Sequence, residues 1–274
     1  MDNKDNNNNN NNNIIISPEN SLLDQQGKDF LEWFRGFVDA EGYFTIANKG
    51  GHRYLFTFGI GLHADDLKVL EFIHQTLQME KIYMSSRNAT LMIRSKDELK
   101  RIIEIFNKAP LNSNKQLNFI AFREAFELYL QHSKRKENTI FYIEQMEAIR
   151  SSMNRNRTDF VWPNREFNIT PNWLLGFVEG DGSFSVRKLK TQSTKYNLVF
   201  SISQSETDLA LLIAIQNHLN RLAAVSSTER TFSYSIIPTK GKYHENHKFA
   251  LLSSSACKNT TYKKFNLAIQ DSHF

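Results

Sequence analysis

The 274-residue sequence predicts an α+β fold built from two copies of one helix-and-hairpin unit related by a pseudo-twofold axis. Three observations carry this. Apolar residues at helical spacing and runs of alternating β-branched and aromatic residues follow one another in the order helix, hairpin, helix, hairpin, helix, helix. The segment FRGFVDAEGYFTI at 34–46 returns as LLGFVEGDGSFSV at 174–186, an offset of 140, and LFTFGIGLHADDLKVLEFIHQTL at 55–77 aligns with NLVFSISQSETDLALLIAIQNHL at 197–219, an offset of 142. Order, spacing and register agree across both stretches, which marks a duplicated element whose second hairpin loop is two residues longer.

The elements follow in order. MDNKDNNNNNNNN opens an Asn-rich tract too polar to bury a core, so residues 1–27 are expected to be a disordered tail. From Asp29, Phe30, Trp33, Phe34, Phe37 and Val38 recur at helical spacing until Gly42. YFTIANKG and RYLFTFGIGLH then read as a hairpin around Lys49, Gly50, Gly51 and His52. Asp65 and Asp66 open a second helix with Leu67, Leu70, Ile73, His74 and Leu77 on one stripe, and KIYMSS with ATLMIRS form a second hairpin. Helices follow from about Lys96 to Asn107 and from about Lys115 to Gln131, which completes a first domain at 28–131. Residues 132–170 read as a linker with a helical stretch from about Thr139 to Met153, and residues 171–274 as the second domain. That second copy lacks a counterpart of the long closing helix and is expected to be a truncated version of the first.

Composition narrows the function. No run reaches the 18 or more apolar residues of a membrane span, and the single cysteine, Cys257, excludes a disulfide framework or a multi-cysteine zinc site. Residues 1–150 carry 19 basic and 20 acidic side chains, and the rest 15 and 9, so any basic surface belongs to the second half.

The chemistry lies where the repeated helices end. Gly36 and Gly176 sit inside them, where glycine costs roughly 1 kcal/mol relative to alanine, and close approach of one copy's helix to the other's is the expected compensation. Both helices end acid-x-acid-Gly, as Asp39-Ala40-Glu41-Gly42 and Glu179-Gly180-Asp181-Gly182. Carboxylates there oppose the helix dipole and the free carbonyls. Two such ends side by side form an all-oxygen nest suited to Mg²⁺ or Mn²⁺, and bound cations of this kind can activate water against a phosphodiester. His244-Glu245-Asn246-His247 lacks both the spacing and the third ligand of a metal motif.

FRGFVDAEG at 34–42 and LLGFVEGDG at 174–182 resemble the paired signatures of the LAGLIDADG homing endonucleases in their single-chain, two-motif form, over about residues 29–235. The resemblance implies two αββαββα domains forming a β-saddle over DNA, with the signature helices at the domain interface. It implies a metal-dependent endonuclease that makes a double-strand break at a long site. The last acid of each motif binds metal in that family, which gives Glu41 and Asp181, with the carbonyls of Ala40 and Gly180 as further ligands. Glu41 is one methylene longer than the usual Asp, displacing its oxygen by about 1.5 Å, so some strand asymmetry is expected. Asp39 and Glu179 take a supporting role. The family's catalytic lysine falls on Lys115 in the first copy, and aligning NSNKQLNF with TTYKKFNL nominates Lys263 in the second.

Alternation places Phe44, Ile46, Phe56, Phe58 and Ile60 inward, and Phe184, Val186, Leu198, Phe200 and Ile202 likewise. The opposite face carries Tyr43, Thr45, Lys49, Thr57, Ser183, Ser185, Arg187, Asn197, Ser201 and Ser203, a ribbon surface suited to base edges in a major groove, while Arg53, Lys188, Lys190 and Lys195 are placed to take phosphates. The resemblance also implies an intron-encoded, mitochondrial monomer. Two rival readings stand beside the nuclease: a maturase that binds its host intron RNA, and a DNA binder without catalysis. The retained acids favour the nuclease.

Overall fold

Phenylalanine dictates where the core forms. In the computed structural model, which describes residues 25–79, 81–135, 138–162, 164–188, 196–225, 233–240 and 247–257, helix α1 (Gln25–Glu41) lays Phe30, Phe34, Phe37 and Val38 on its buried face. The described part of the helix includes residues 25–27, which the sequence assigned to the tail, and Gln25 donates to Asp29 one turn on. Residues 1–24 lie outside the described residues.

Strands β1 (Gly42–Asn48) and β2 (Tyr54–His63) follow at once. Their turn uses Gly50 at φ +95° and Gly51 at φ +59°, the left-handed region that L side chains resist. A single 3-10 turn (Ala64–Asp66) leads into α2 (Leu67–Leu77), then β3 (Ile82–Met84), β4 (Asn88–Ile93), α3 (Lys96–Lys108) and α4 (Lys115–Arg135). Ser95 caps α3 by accepting from the Glu98 amide at 3.4 Å. The sheet runs β1-β2-β4-β3, entirely antiparallel. α4 crosses its inner face, where Phe119 and Phe122 stand 5.6 Å and 5.4 Å from Phe44.

The second copy repeats the plan. Helix α6 (Pro171–Asp181), β5 (Gly182–Lys188), β6 (Tyr196–Ser205), α7 (Leu209–Val225), β7 (Ser233–Lys240) and β8 (His247–Cys257) give a sheet of order β5-β6-β8-β7. The registers match: Gly42 pairs with Ile60 and Phe44 with Phe58, as Gly182 pairs with Ile202 and Phe184 with Phe200.

Three sequence expectations need correction. The helical part of the presumed linker, α5 (Thr139–Ser151), packs into the first domain, whose core includes Tyr142, Met146 and Met153. Phe184 and Val186 share a face with Phe200 as alternation requires, with Phe184 and Phe200 rings 5.0 Å apart. Yet they remain 52% and 50% exposed, because no described element covers them as α4 covers Phe44. Thr57 is 6% exposed instead of open on the outer face, where Arg94 Nε donates to its hydroxyl at 3.2 Å. The side chain of Leu198 lies outside the described residues.

Phe106 touches Phe34, Phe44, Phe58 and Phe119 at ring distances of 5.7–6.0 Å and is fully buried. Phe106→Ala is expected to destabilise the first domain by about 3–5 kcal/mol, read from urea unfolding. A loss below about 1 kcal/mol would mean that the aromatic cluster collapses into the space.

Candidate active site at the paired helix ends

Helices α1 and α6 pack against each other along their glycines. A Cβ on Gly36 would stand 1.9 Å from the Trp173 carbonyl oxygen, and one on Gly176 2.0 Å from that of Trp33. The two contacts are images of each other. At the C-terminal end the seam has room for one methyl: a Cβ on Gly180 would meet the Ala40 Cβ at 2.4 Å.

Hydrogen bonds cross the same axis. Trp33 Nε1 donates to Glu179 at 2.7 Å, and Trp173 Nε1 donates to Asp39 at 2.8 Å. Each tryptophan stacks on the phenylalanine four residues on, Phe37 or Phe177, at 5.1 Å and 4.9 Å. The earlier acid of each motif therefore receives the other copy's indole. Asp39 does more: fully buried, it also accepts from the amides of Asn112 at 2.8 Å and Ser113 at 2.7 Å. Three donors satisfy this buried carboxylate and fix its orientation.

Glu41 and Asp181 end the two helices. The Glu41 side chain lies against α6, its Oε1 3.6 Å from where a Gly180 Cβ would be. Its pKa is raised, first by burial and then by the Asp181 charge, with Lys115 opposing. Asp181 accepts from Gln204 Nε2 at 2.5 Å. By the repeat, Gln204 corresponds to Leu62, so the two acids have unlike neighbours. The sequence reading missed Gln204; its place at the β6 end, beside the helix end it must face, was the available signal.

Lys115, the first residue of α4, donates to the carbonyls of Ala40 at 2.5 Å and Val38 at 3.3 Å. Burial lowers its pKa, while Asp181, Asp39, Glu41 and Asp208 hold the ammonium form. A cation thus already sits at the carbonyl expected to serve a metal. Lys263, together with Lys190 and Lys195, lies outside the described residues, as do the side chains of Arg187, Lys188 and Asn197.

Among the described residues no group of three or more His, Cys, Asp or Glu side chains converges on one point. The donors fit a hard cation all the same. Two carboxylates of opposite copies interact here, Glu41 having its pKa raised by burial and then by Asp181 even with Lys115 opposing, and Mg²⁺ is usually held by one or two carboxylates with water and phosphate completing its shell. The raised Glu41 pKa means that the folded state binds this proton more tightly than the unfolded chain does. Its contribution to stability is therefore lost as pH rises from the ordinary value of 4.5 through the raised one. In EDTA, Glu41→Gln is expected to be more stable than the parent at mildly alkaline pH and equal to it in acid. Equal melting temperatures at both would show that neither burial nor the Asp181 charge burdens the ionised Glu41.

On the outer strand faces, Tyr43 and Thr45 are half-buried, Lys49, Arg53, Ser183, Ser185 and Ser203 are exposed, and Ser201 is half-buried. Tyr43 lies flat over Gly59, where a Cβ would meet its ring at 2.4 Å. Arg94 joins this surface; alternation carried through ATLMIRS would have found it.

The fold and site define a class: a pseudo-symmetric two-domain α+β protein with paired acids at the seam. The model of the LAGLIDADG endonuclease family matches residues 34–126 and 174–269, and the chain belongs to that family. It is 30% identical over 161 residues to a probable intron-encoded endonuclease, Cox1-I1b, of Schizosaccharomyces pombe, covering 57% of this chain and 41% of that one. It is 26% identical to the uncharacterized mitochondrial protein RF1 of Saccharomyces cerevisiae, covering 73% of this chain and 41% of that one. The chain thus spans about two fifths of the length of these relatives. The LAGLIDADG homing endonuclease I-LtrWI bound to target DNA superposes with a TM-score of 0.65 at 25% identity, over 83% of this chain and 79% of that one.

Proposed function

We propose that this chain is a site-specific double-strand DNA endonuclease acting at a long target site with Mg²⁺ or Mn²⁺. The observation that carries the reading is the meeting of Glu41 and Asp181, one from each copy, at the α1–α6 seam beside buried Lys115. Membership of the family and the DNA-bound state of I-LtrWI support it.

Glu41 and Asp181 would hold the cation, with the Ala40 and Gly180 carbonyls at hand. The chemistry such a cation would supply there is activation of a water and stabilisation of the leaving oxygen. Gln204 orients Asp181 by donating to it. Lys115 holds an ammonium proton at Nζ beside both acids, placed to stabilise charge developing on a phosphate. Tyr43, Thr45, Ser183, Ser185, Ser201 and Ser203 read base edges along the ribbons, while Lys49 and Arg53 take phosphates. The unlike neighbours of Glu41 and Asp181 make the two strands nick at different rates.

One chain supplies both halves of the pseudo-dimer, so the active species is a monomer. Its place is the mitochondrion, encoded within an intron, in line with the two fungal relatives. Among the described residues no helix is long and apolar enough to cross a membrane.

The test is cleavage of a randomised duplex library by the purified chain in Mg²⁺, with Ca²⁺ as a binding-only control. Cleavage at one long site is expected. A library bound and never cut, or tighter binding to intron RNA than to any duplex, would replace the nuclease with the splicing-helper reading.

A further inference from the structure

The loop before Lys115 is held from three sides. Its first two amides, at Asn112 and Ser113, go to Asp39 of its own domain. The third, at Asn114, goes instead to Asp208 of the second domain at 2.9 Å, and the Asn114 side chain donates to the Thr207 carbonyl at 2.7 Å. Arg165, from the segment joining the domains, closes the arrangement. It donates to the Asn112 carbonyl, to Asn114 Oδ1 at 3.1 Å and to Asp208 Oδ1 at 3.0 Å. Its guanidinium is clamped between the rings of Trp162 and Phe167, each 4.7 Å away. Arg165 and Asp208 are both nearly buried, at 11% and 10% side-chain exposure.

We propose that Arg165 and Asp208 are positioning residues for Lys115, so that the first copy's catalytic lysine is set in place by the linker and the second domain. The geometry argues for positioning over general stability. Apart from the Arg165–Asp208 pair itself, these bonds converge on residues 112–114, the three that precede Lys115, and a nearly buried ion pair whose guanidinium is stacked between two rings has little freedom to move. A shift of this loop moves the start of α4 and draws the Lys115 ammonium off the Ala40 and Val38 carbonyls. The repeat sharpens the point: Asp66, the counterpart of Asp208, is exposed. Among the described residues, this arrangement is built around Lys115.

The inference rests on the assignment of Lys115 under the proposed function, and the experiment separates the two. Nicking of each strand is followed on a duplex labelled at both 5′ ends, using the full chain and Lys115→Met, Asp208→Ala, Asp208→Asn and Arg165→Ala. Lys115→Met is expected to slow one strand about a hundredfold. Asp208→Ala and Arg165→Ala slow the same strand at least tenfold, with the other strand and the Ca²⁺-supported affinity unchanged. Asp208→Asn, which keeps an acceptor for the Asn114 amide and for Arg165, restores most of the rate. The proposal is overturned if Asp208→Ala slows both strands equally in step with a fall in melting temperature or affinity, or if it changes neither. If Lys115→Met itself leaves both strands unaffected, the lysine assignment fails and the inference with it; a Lys115 effect without an Asp208 effect removes the inference alone.

Discussion

Asp181→Asn is expected to reduce cleavage by roughly 10²–10³-fold or more while leaving folding and DNA affinity in Ca²⁺ intact. The substitution is isosteric. Its amide oxygen still accepts from Gln204, so the helix end keeps its packing and loses only charge. That charge is one of two carboxylates facing each other across the seam, and the described residues offer no third ligand of comparable strength. The measurement is single-turnover cleavage of the identified site in Mg²⁺ beside binding in Ca²⁺. Retention of more than a tenth of the parental rate would remove Asp181 from the catalytic centre. The same substitution lifts the like-charge burden on Glu41, so the variant should melt at or above the parental temperature without metal.

Gly36→Ala carries the largest expected cost in stability. The added methyl would lie 1.9 Å from the Trp173 carbonyl oxygen, 2.8 Å from its carbon and 2.9 Å from the Phe177 nitrogen, all backbone atoms that cannot turn aside. The helices must part. Parting opens the reciprocal Gly176 contact and strains the Trp33–Glu179 and Trp173–Asp39 hydrogen bonds. About 3 kcal/mol or more is expected, the upper part of the range for overpacking, and roughly 6–12 °C in melting temperature for a chain of this size. Gly61→Ala is the control, since its methyl would find only Thr90 Oγ1 at 3.7 Å. If the two variants melt alike, the glycines are not what sets the helix separation. Cleavage should fall with Gly36→Ala even below its melting temperature, because Glu41 and Asp181 are placed by that separation.

Much of this molecule was legible in its sequence because the repeat is itself a physical statement. Two identical departures from helix preference, an interior glycine and acids at a C-terminus, 140 residues apart, require a reciprocal contact to offset them, and the Gly36–Trp173 and Gly176–Trp33 approaches are that contact. Alternation fixed the strands and the inward set of the first domain, since pleat geometry gives each residue its face whatever the rest of the chain does. It did not decide burial. Phe184 and Thr57 point as the pattern requires, yet one is open and the other closed, because covering depends on α4 and Arg94, which arrive from elsewhere in the chain.

The same division holds at the site. Glu41, Asp181 and Lys115 could be named from local signatures. Asp39 could be given a supporting role but not its partners, and the contacts of Gln204, Arg165 and Asp208 were not read at all, for each has its partner elsewhere along the chain: Trp173 and the amides at 112 and 113 for Asp39, Asp181 for Gln204, the loop at 112–114 for Arg165 and Asp208. By itself the sequence determined the duplicated fold, the pairing of the two motif helices and the acids at their ends, because propensity, periodicity and repetition act locally along the chain. Only the tertiary structure decided which carboxylates are structural, which is left facing its opposite number, and which domain holds Lys115. Hydrogen-bond partners and desolvation are properties of what comes to lie nearby after folding, and one-dimensional order carries no record of them.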